Sequence, residues 1–203
     1  MRYFSVSTVL VLLVLFLAAC TNEGIVSHDP APSEQLAATY TSNTLGQSNR
    51  AVTIPFKSDF FSNGVAVPDP DCGAFPPILK NIQDGFGEAT HLGRFAFHVT
   101  FCQDITDLLD GELTEGESVP YWNAVGTMTA ANGDELWITG SGAILPSDHP
   151  DYDFEFNDPF EFVGGTGRFE GASGDVVTHS FVDFASGQVD HDWSGTLTLL
   201  TGQ

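Results

Sequence analysis

Basic side chains are nearly missing from this sequence. Six Lys and Arg stand against 27 Asp and Glu in 203 residues, a formal net charge of −21. Nucleic-acid binding needs clustered Lys and Arg to displace counterions from phosphates, so that class is excluded. Docking by charge on anionic lipid headgroups is excluded for the same reason. Cysteine is sparse as well, with three in the chain, and no His or further Cys stands around them at zinc spacing. No Ser nucleophile elbow, HExxH helix or paired cysteine knuckle occurs. The sequence therefore carries no catalytic signature, and it implies no metal and no other cofactor. Beyond residue 20 no run is apolar enough to span a bilayer, which takes about 20 apolar residues. No window shows the 3.6-residue period of an amphipathic helix.

What is present begins at the amino terminus. Arg2 supplies a short positive segment and Val9–Phe16 an apolar core. The run is too short to cross a membrane and has the form of a secretory leader. Leu17-Ala18-Ala19-Cys20 follows at once and resembles the lipobox of bacterial lipoproteins, in which the cysteine thiol is alkylated by diacylglycerol before cleavage. The resemblance implies a leader over 1–19 and a mature protein held on a membrane by acyl chains at Cys20. Each buried methylene contributes about 0.8 kcal/mol, so two or three chains hold firmly where one binds reversibly. Thr21 stands where inner-membrane retention signals usually place Asp, which favours the outer membrane or cell surface. Residues 20–49 are rich in Ser, Thr, Asn, Ala and Pro and cannot bury enough surface to fold alone. They form a polar tether with an r.m.s. reach of about 30 Å.

Residues 50–203 are of single-domain size. Two readings fit their acidity. A halophile's surface, kept hydrated by Asp and screened by salt, is favoured. Multivalent cation binding is the alternative, although Asp69-Pro70-Asp71 and Asp148–Asp153 lack the loop spacing of an EF-hand. With Cys20 assigned to lipid, Cys72 and Cys102 most simply form one disulfide in an exported chain. It would close a loop of about 30 residues and contribute about 3 kcal/mol.

Strand patterns dominate this domain. Phe95, Phe97, Val99 and Phe101 alternate with Arg94, Ala96, His98 and Thr100, the period of a half-buried strand. Val125–Ala130 and Leu136–Thr139 flank Asn132-Gly133, a hairpin signal. A second hairpin is expected from Val176–Phe184 and Val189–Leu200. On its last strand Val189, His191, Trp193, Leu197 and Leu199 share one face. Tyr152–Phe156 and Phe160–Val163 add two short alternating runs. Many short antiparallel strands mean a sandwich or a barrel, and the pattern alone does not choose.

Three segments follow one another in order: Gly87–Phe95, Thr129–Leu136 and Gly164-Gly165-Thr166-Gly167-Arg168-Phe169 through Gly174. Together they resemble exported bacterial proteins similar to the allene oxide cyclase and dirigent group. The resemblance spans most of the chain from Gly87 onward, and residues 50–86 fall outside it. It implies an all-β fold, a closed antiparallel β-barrel of about eight strands with a small apolar cavity. The Gly165–Gly171 stretch also echoes a nucleotide-binding loop. That chemistry needs a helix after the glycines, and β-type sequence lies on both sides here. The glycines therefore make a tight connection, with Arg168 expected to meet a nearby carboxylate.

Of six histidines, His91, His98, His179 and His191 fall in expected strands. His191 shares the apolar face with Trp193, while His98 lies opposite the Phe face and points outward. A core histidine held by a backbone carbonyl is the commoner arrangement. His191, Trp193 and His179 are nonetheless the candidate ligand-binding residues. Two functions follow. One is a non-catalytic barrel binding an apolar small molecule or a surface partner. The other, implied by the resemblance, is a cofactor-independent isomerase or cyclase, although none of that group's functional residues can be matched here. A Cys20→Ser substitution is expected to abolish incorporation of labelled palmitate and release the protein from the membrane fraction. Retained label would refute the anchor.

Overall fold

The structure, a computed structural model, describes residues 50–201. The leader, Cys20 and the tether lie outside the described residues. Ten strands form one antiparallel sheet: β1 (Arg50–Val67), β2 (Ile78–Ala89), β3 (Gly93–Asp104), β4 (Val119–Ala130), β5 (Glu135–Pro146), β6 (Phe154–Phe156), β7 (Pro159–Gly165), β8 (Gly174–Val177), β9 (Ser180–Asp183) and β10 (Gln188–Thr201). β1 to β5 follow one another as neighbours. β1 also pairs with β10, from Arg50↔Thr201 to Asn63↔Gln188.

Two short routes join β5 to β10. One runs through β7 and β8, the other through β6 and β9. Either route completes a ring of eight strands, the number implied by the resemblance. The count reaches ten because two chain segments are broken in step. Asn157-Asp158 separates β6 from β7, and Thr178-His179 interrupts the expected single strand Val176–Phe184. The two breaks hold each other. Thr178 N–H donates to Asp158 O at 2.9 Å, and Asp158 N–H donates to the Thr178 hydroxyl at 2.9 Å.

The expected alternation is present. Phe95, Phe97, Val99 and Phe101 are all buried, as are Val189, His191, Trp193 and Leu197. His98 faces outward and meets Asp84 at 2.8 Å. The inner face of β1, which had no strand reading, is Phe56, Ser58, Phe60 and Ser62, all buried. Phe60 packs against Phe95, Phe97 and Trp193 with ring centroids 4.7–5.3 Å apart. Burying each large apolar side chain contributes about 1.5–3 kcal/mol, and their size fills the ring nearly to its axis. Two glycines permit this closeness. A Cβ at Gly140 would strike the Phe160 ring, and one at Gly142 would collide with the Asp158 carboxylate.

The ring has two unlike ends. At one, here called the floor, the connection from β7 to β8 folds inward as a 3-10 turn, Gly167–Phe169, with Phe169 fully buried beside Leu92. Arg168 lies 3.7 Å from Asp134 and donates to Leu92 O at 3.4 Å. The three glycine-bearing segments thus meet here, and Arg168 finds its carboxylate. A side chain at Gly167 would clash with Asp134, and its φ of +55° suits glycine. The Asn132-Gly133 turn differs in detail from its expected form. Only Gly133 has positive φ, and Gly133 N–H bonds to Ala130 O, the pattern of a type I turn closed by a left-handed residue. His91 and His179 also depart from expectation, for both lie in connections instead of strands.

The other end, the mouth, gathers the connections after β1, β3, β5 and β9. Cys72 in the first of these is bonded to Cys102 on β3, and Lys80 reaches Asp69 at 3.0 Å. Both ties press the β1–β2 connection against the wall. Replacing Cys72 and Cys102 together by Ala is expected to lower unfolding free energy by about 3 kcal/mol. Urea titration of oxidised wild type and double variant checks this, and equal stability would refute it.

Candidate functional site

A chain of hydrogen bonds runs along the inner faces of four neighbouring strands, β9, β10, β1 and β2. It starts at Trp193, whose Nε1–H donates to Ser180 Oγ at 3.1 Å. Ser180 Oγ lies 2.8 Å from His191 Nδ1, and His191 Nε2 lies 2.9 Å from Ser62 Oγ. Ser62 in turn donates to Gln83 Oε1 at 3.0 Å. These contacts fix the direction of every proton. Ser62 gives its hydrogen to Gln83, so it accepts from His191 Nε2–H. Nδ1 is then unprotonated and accepts from the Ser180 hydroxyl, which accepts from Trp193. His191 is held as one neutral tautomer with both nitrogens satisfied. Its ring is stacked on Phe60 at 4.2 Å and 14°. Burial lowers its pKa to about 3, because a charged imidazole here would lose its hydration without gaining a carboxylate.

The inward direction of His191 agrees with the sequence pattern, but its partners do not. Two serines on the strands that flank β10, Ser62 of β1 and Ser180 of β9, satisfy it, not a backbone carbonyl. Both serines sit at inward positions of their strands. Polar residues at inward positions of an aromatic strand were the available signal. Trp193 shares the network, whereas His179 does not join it. His179 is exposed, with its ring against Phe181 at 4.8 Å.

A second buried polar pair lies apart from this chain. Tyr121 Oη donates to Asp158 Oδ2 at 2.8 Å, and Ala143 N–H donates to the same oxygen at 3.3 Å. Burial raises the Asp158 carboxyl above its usual range, and burial followed by the Asp158 charge raises the Tyr121 phenol. The carboxylate lines neither interior space, so it serves to bind the broken strands to β4 and β5.

Two spaces lie inside the ring among the described residues. The deeper, bounded by Phe97, Phe101, Tyr121, Phe160, His191 and Trp193, has a volume of about 20 Å³, enough for one water. Above it, at the mouth, opens a cup of about 220 Å³. Gln83, Ile144 and Phe156 border both. One wall of the cup presents the amides of Asn81, Gln83 and Gln103. The facing wall presents Phe154, Phe156, Val182 and Val189. Gln83 and Gln103 are 5% and 6% exposed, and each uses Oε1 on a neighbour. Neither Nε2 has a protein partner among the described residues. Asn81 Oδ1 is buried without a partner, packed over Gly64. A hollow of about 620 Å³ lies outside, over β1, β2 and β10, but it is shallow and open to water. Among the described residues no group of three His, Cys, Asp or Glu is placed to hold a metal ion. No described helix is long and apolar enough to cross a membrane.

Fold and site together define an all-β ring with a packed floor and an amide-walled cup at its mouth. No family model matches the sequence, and no curated protein matches it. Among solved structures, one pterocarpan synthase dirigent protein is 18% identical, with a TM-score of 0.45 over 75% of this chain and 97% of its own. A second pterocarpan synthase dirigent protein is 15% identical, with a TM-score of 0.43 over 76% of this chain and 88% of its own.

The buried imidazole has a measurable consequence. Unfolded histidine takes a proton below about pH 6.5, and folded His191 only below about pH 3. Between those values the unfolded state binds more protons, so stability falls as pH falls, by about 1.4 kcal/mol per unit from this group. Subtracting the stability–pH curve of His191→Gln from that of wild type is expected to expose that slope. Parallel curves would refute the assignment.

Proposed function

We propose that this protein is an exported lipoprotein, held at the outer membrane or cell surface by acyl chains on Cys20. Its domain is a closed barrel of the dirigent-like kind that binds a small, largely apolar molecule in the mouth cup and leaves it chemically unchanged. The observation that carries the reading is the cup's contrast with the core below it. The core is filled by Phe and Trp rings down to the space of one water. The cup keeps about 220 Å³ open, smaller than the pockets of drug-sized ligands and suited to a compact one. Its walls pair apolar surface with the side-chain amides of Gln83 and Gln103, the composition of a site that orients a ligand.

Support for a non-catalytic role comes from the ionisable groups. General acid–base work needs a group within hydrogen-bond reach of the substrate and a pKa near the working pH. His191 has both nitrogens held by serines and a pKa near 3. Tyr121 and Asp158 are bonded to each other. Among the described residues the isomerase or cyclase alternative therefore has no proton-transfer group lining the cup.

Native mass spectrometry of the delipidated protein from its own host tests the proposal. A small non-covalent adduct is expected on wild type and absent from Val182→Trp, which fills the cup. An adduct equally present on both would move the site elsewhere. No adduct on either, with no binding of small apolar probes, would overturn ligand binding in favour of a surface-partner role.

A further inference from the structure

The charge of this domain is unevenly spread over the ring. The connection from β3 to β4 alone carries Asp107, Asp110, Glu112, Glu115 and Glu117 with no basic residue, and Asp104 ends β3 just before it. Asp148, Asp151 and Asp153 follow in the connection after β5, and Asp183 stands at the mouth end of β9. These segments all stand at the mouth. The only described cation at that end, Lys80, is paired with Asp69 at 3.0 Å. The other four described cations, Arg50, Lys57, Arg94 and Arg168, lie toward the floor. Uniform hydration of a surface needs no such polarity. A concave opening over low-dielectric walls concentrates the potential of the charges around it, and here every uncompensated charge around it is negative.

Apolar surface accompanies the charge. Leu109 and Phe184, 61% and 52% exposed, stand at the same end as the cup, as do Val65 and Leu145. Inside the cup the chemistry changes. Its polar groups are amides, and no carboxylate lines it. An ammonium carried fully inside would be desolvated without a counter-charge, a heavy cost. An apolar body carried inside would meet Ile144, Phe154, Phe156 and Val189, with the charge left outside among the acidic connections.

We infer that the ligand of the cup is an organic cation, an alkyl- or arylammonium whose apolar body enters the cup while its charge stays at the acidic rim. This rests on the cup being a binding site. It adds the ligand's sign and the direction in which it enters.

Three probes with one apolar body separate the two claims: phenylbutylammonium, phenylbutanol and phenylbutyrate, titrated by calorimetry against the folded domain. At low salt the cation is expected to bind at least about tenfold tighter than the anion, with the alcohol between them. At about 1 M NaCl, where the screening length is about 3 Å, the three are expected to converge. The preference belongs to the mouth only if it is local. The triple variant Asp107→Asn, Asp110→Asn, Glu112→Gln is expected to lose most of it. An equal neutralisation elsewhere, Glu161→Gln, Glu170→Gln, Asp175→Asn, is expected to keep it.

Val182→Trp, or Ala66→Trp at the exposed strand end should the first fail to fold, is expected to abolish binding of all three. If the alcohol binds and the Trp variants remove it, but the charge order is missing or both triple variants behave alike, the cation inference fails and the cup remains a site. If no probe binds wild type, both readings fail.

Discussion

The pairing of the first long strand with the last governs this structure. β1 and β10 lie side by side from Arg50↔Thr201 to Asn63↔Gln188, and they are the most distant strands in the chain. Without that ladder the sheet would have two open edges and an inner face of unpaired aromatic rings, a template for aggregation. With it, every inward residue faces another across a narrow interior. Phe60 on β1 can then stack on His191 of β10 while meeting Phe97 of β3. The polar chain through His191 depends on the same closure, since Ser62 comes from β1 and Ser180 from β9. An imidazole so enclosed is tolerable only because each of its nitrogens has a partner.

The interior is divided along its axis. Toward the floor, Phe169 and Leu92 plug the ring and Arg168 ties the plug to Asp134. Toward the mouth the side chains thin out, and amides replace rings on one wall. Close packing needs shape, and shape comes from Phe, Trp and glycines such as Gly140 beneath Phe160. The open end needs no such filling, and there the chain places its acidic connections and the disulfide between Cys72 and Cys102.

Much of this was legible in the sequence. The inward sets on β3 and β10 follow directly from period-two alternation, because Phe95–Phe101 and Val189–Leu199 interpose small or polar residues at every second place. The disulfide followed from counting the cysteines left after Cys20. β1 and β2 were not legible. Their inward positions alternate Phe with Ser, or carry Asn81 and Gln83, which weakens the apolar signal that marks a strand. The same substitutions make them functionally informative, so the residues of the cup were hidden for the reason that they matter. The segments that resemble other proteins, around Gly87–Phe95, Thr129–Leu136 and Gly164–Gly174, assemble the floor. They describe how the ring is stopped and say little about what its mouth receives. His179 was misplaced because the strand pattern of Val176–Phe184 runs through Thr178-His179 without a visible break. The break becomes plain only when Asp158 and Thr178 are seen to bond across it.

The doubled connection between β5 and β10 separates two properties that usually compete. The tier of β7 and β8 lies toward the floor and completes the ring by itself. The tier of β6 and β9 lies at the mouth, and it supplies Phe154, Phe156 and Val182 to the cup. Each strand of this mouth tier is three or four residues long, so its opening disrupts few backbone hydrogen bonds and belongs to the cheapest local excursions of the fold. The entrance can therefore breathe, widening to admit or release a guest, while the girdle below stays latched. Variation in residues 154–156 and 180–183 would retune the doorway without threatening the hoop.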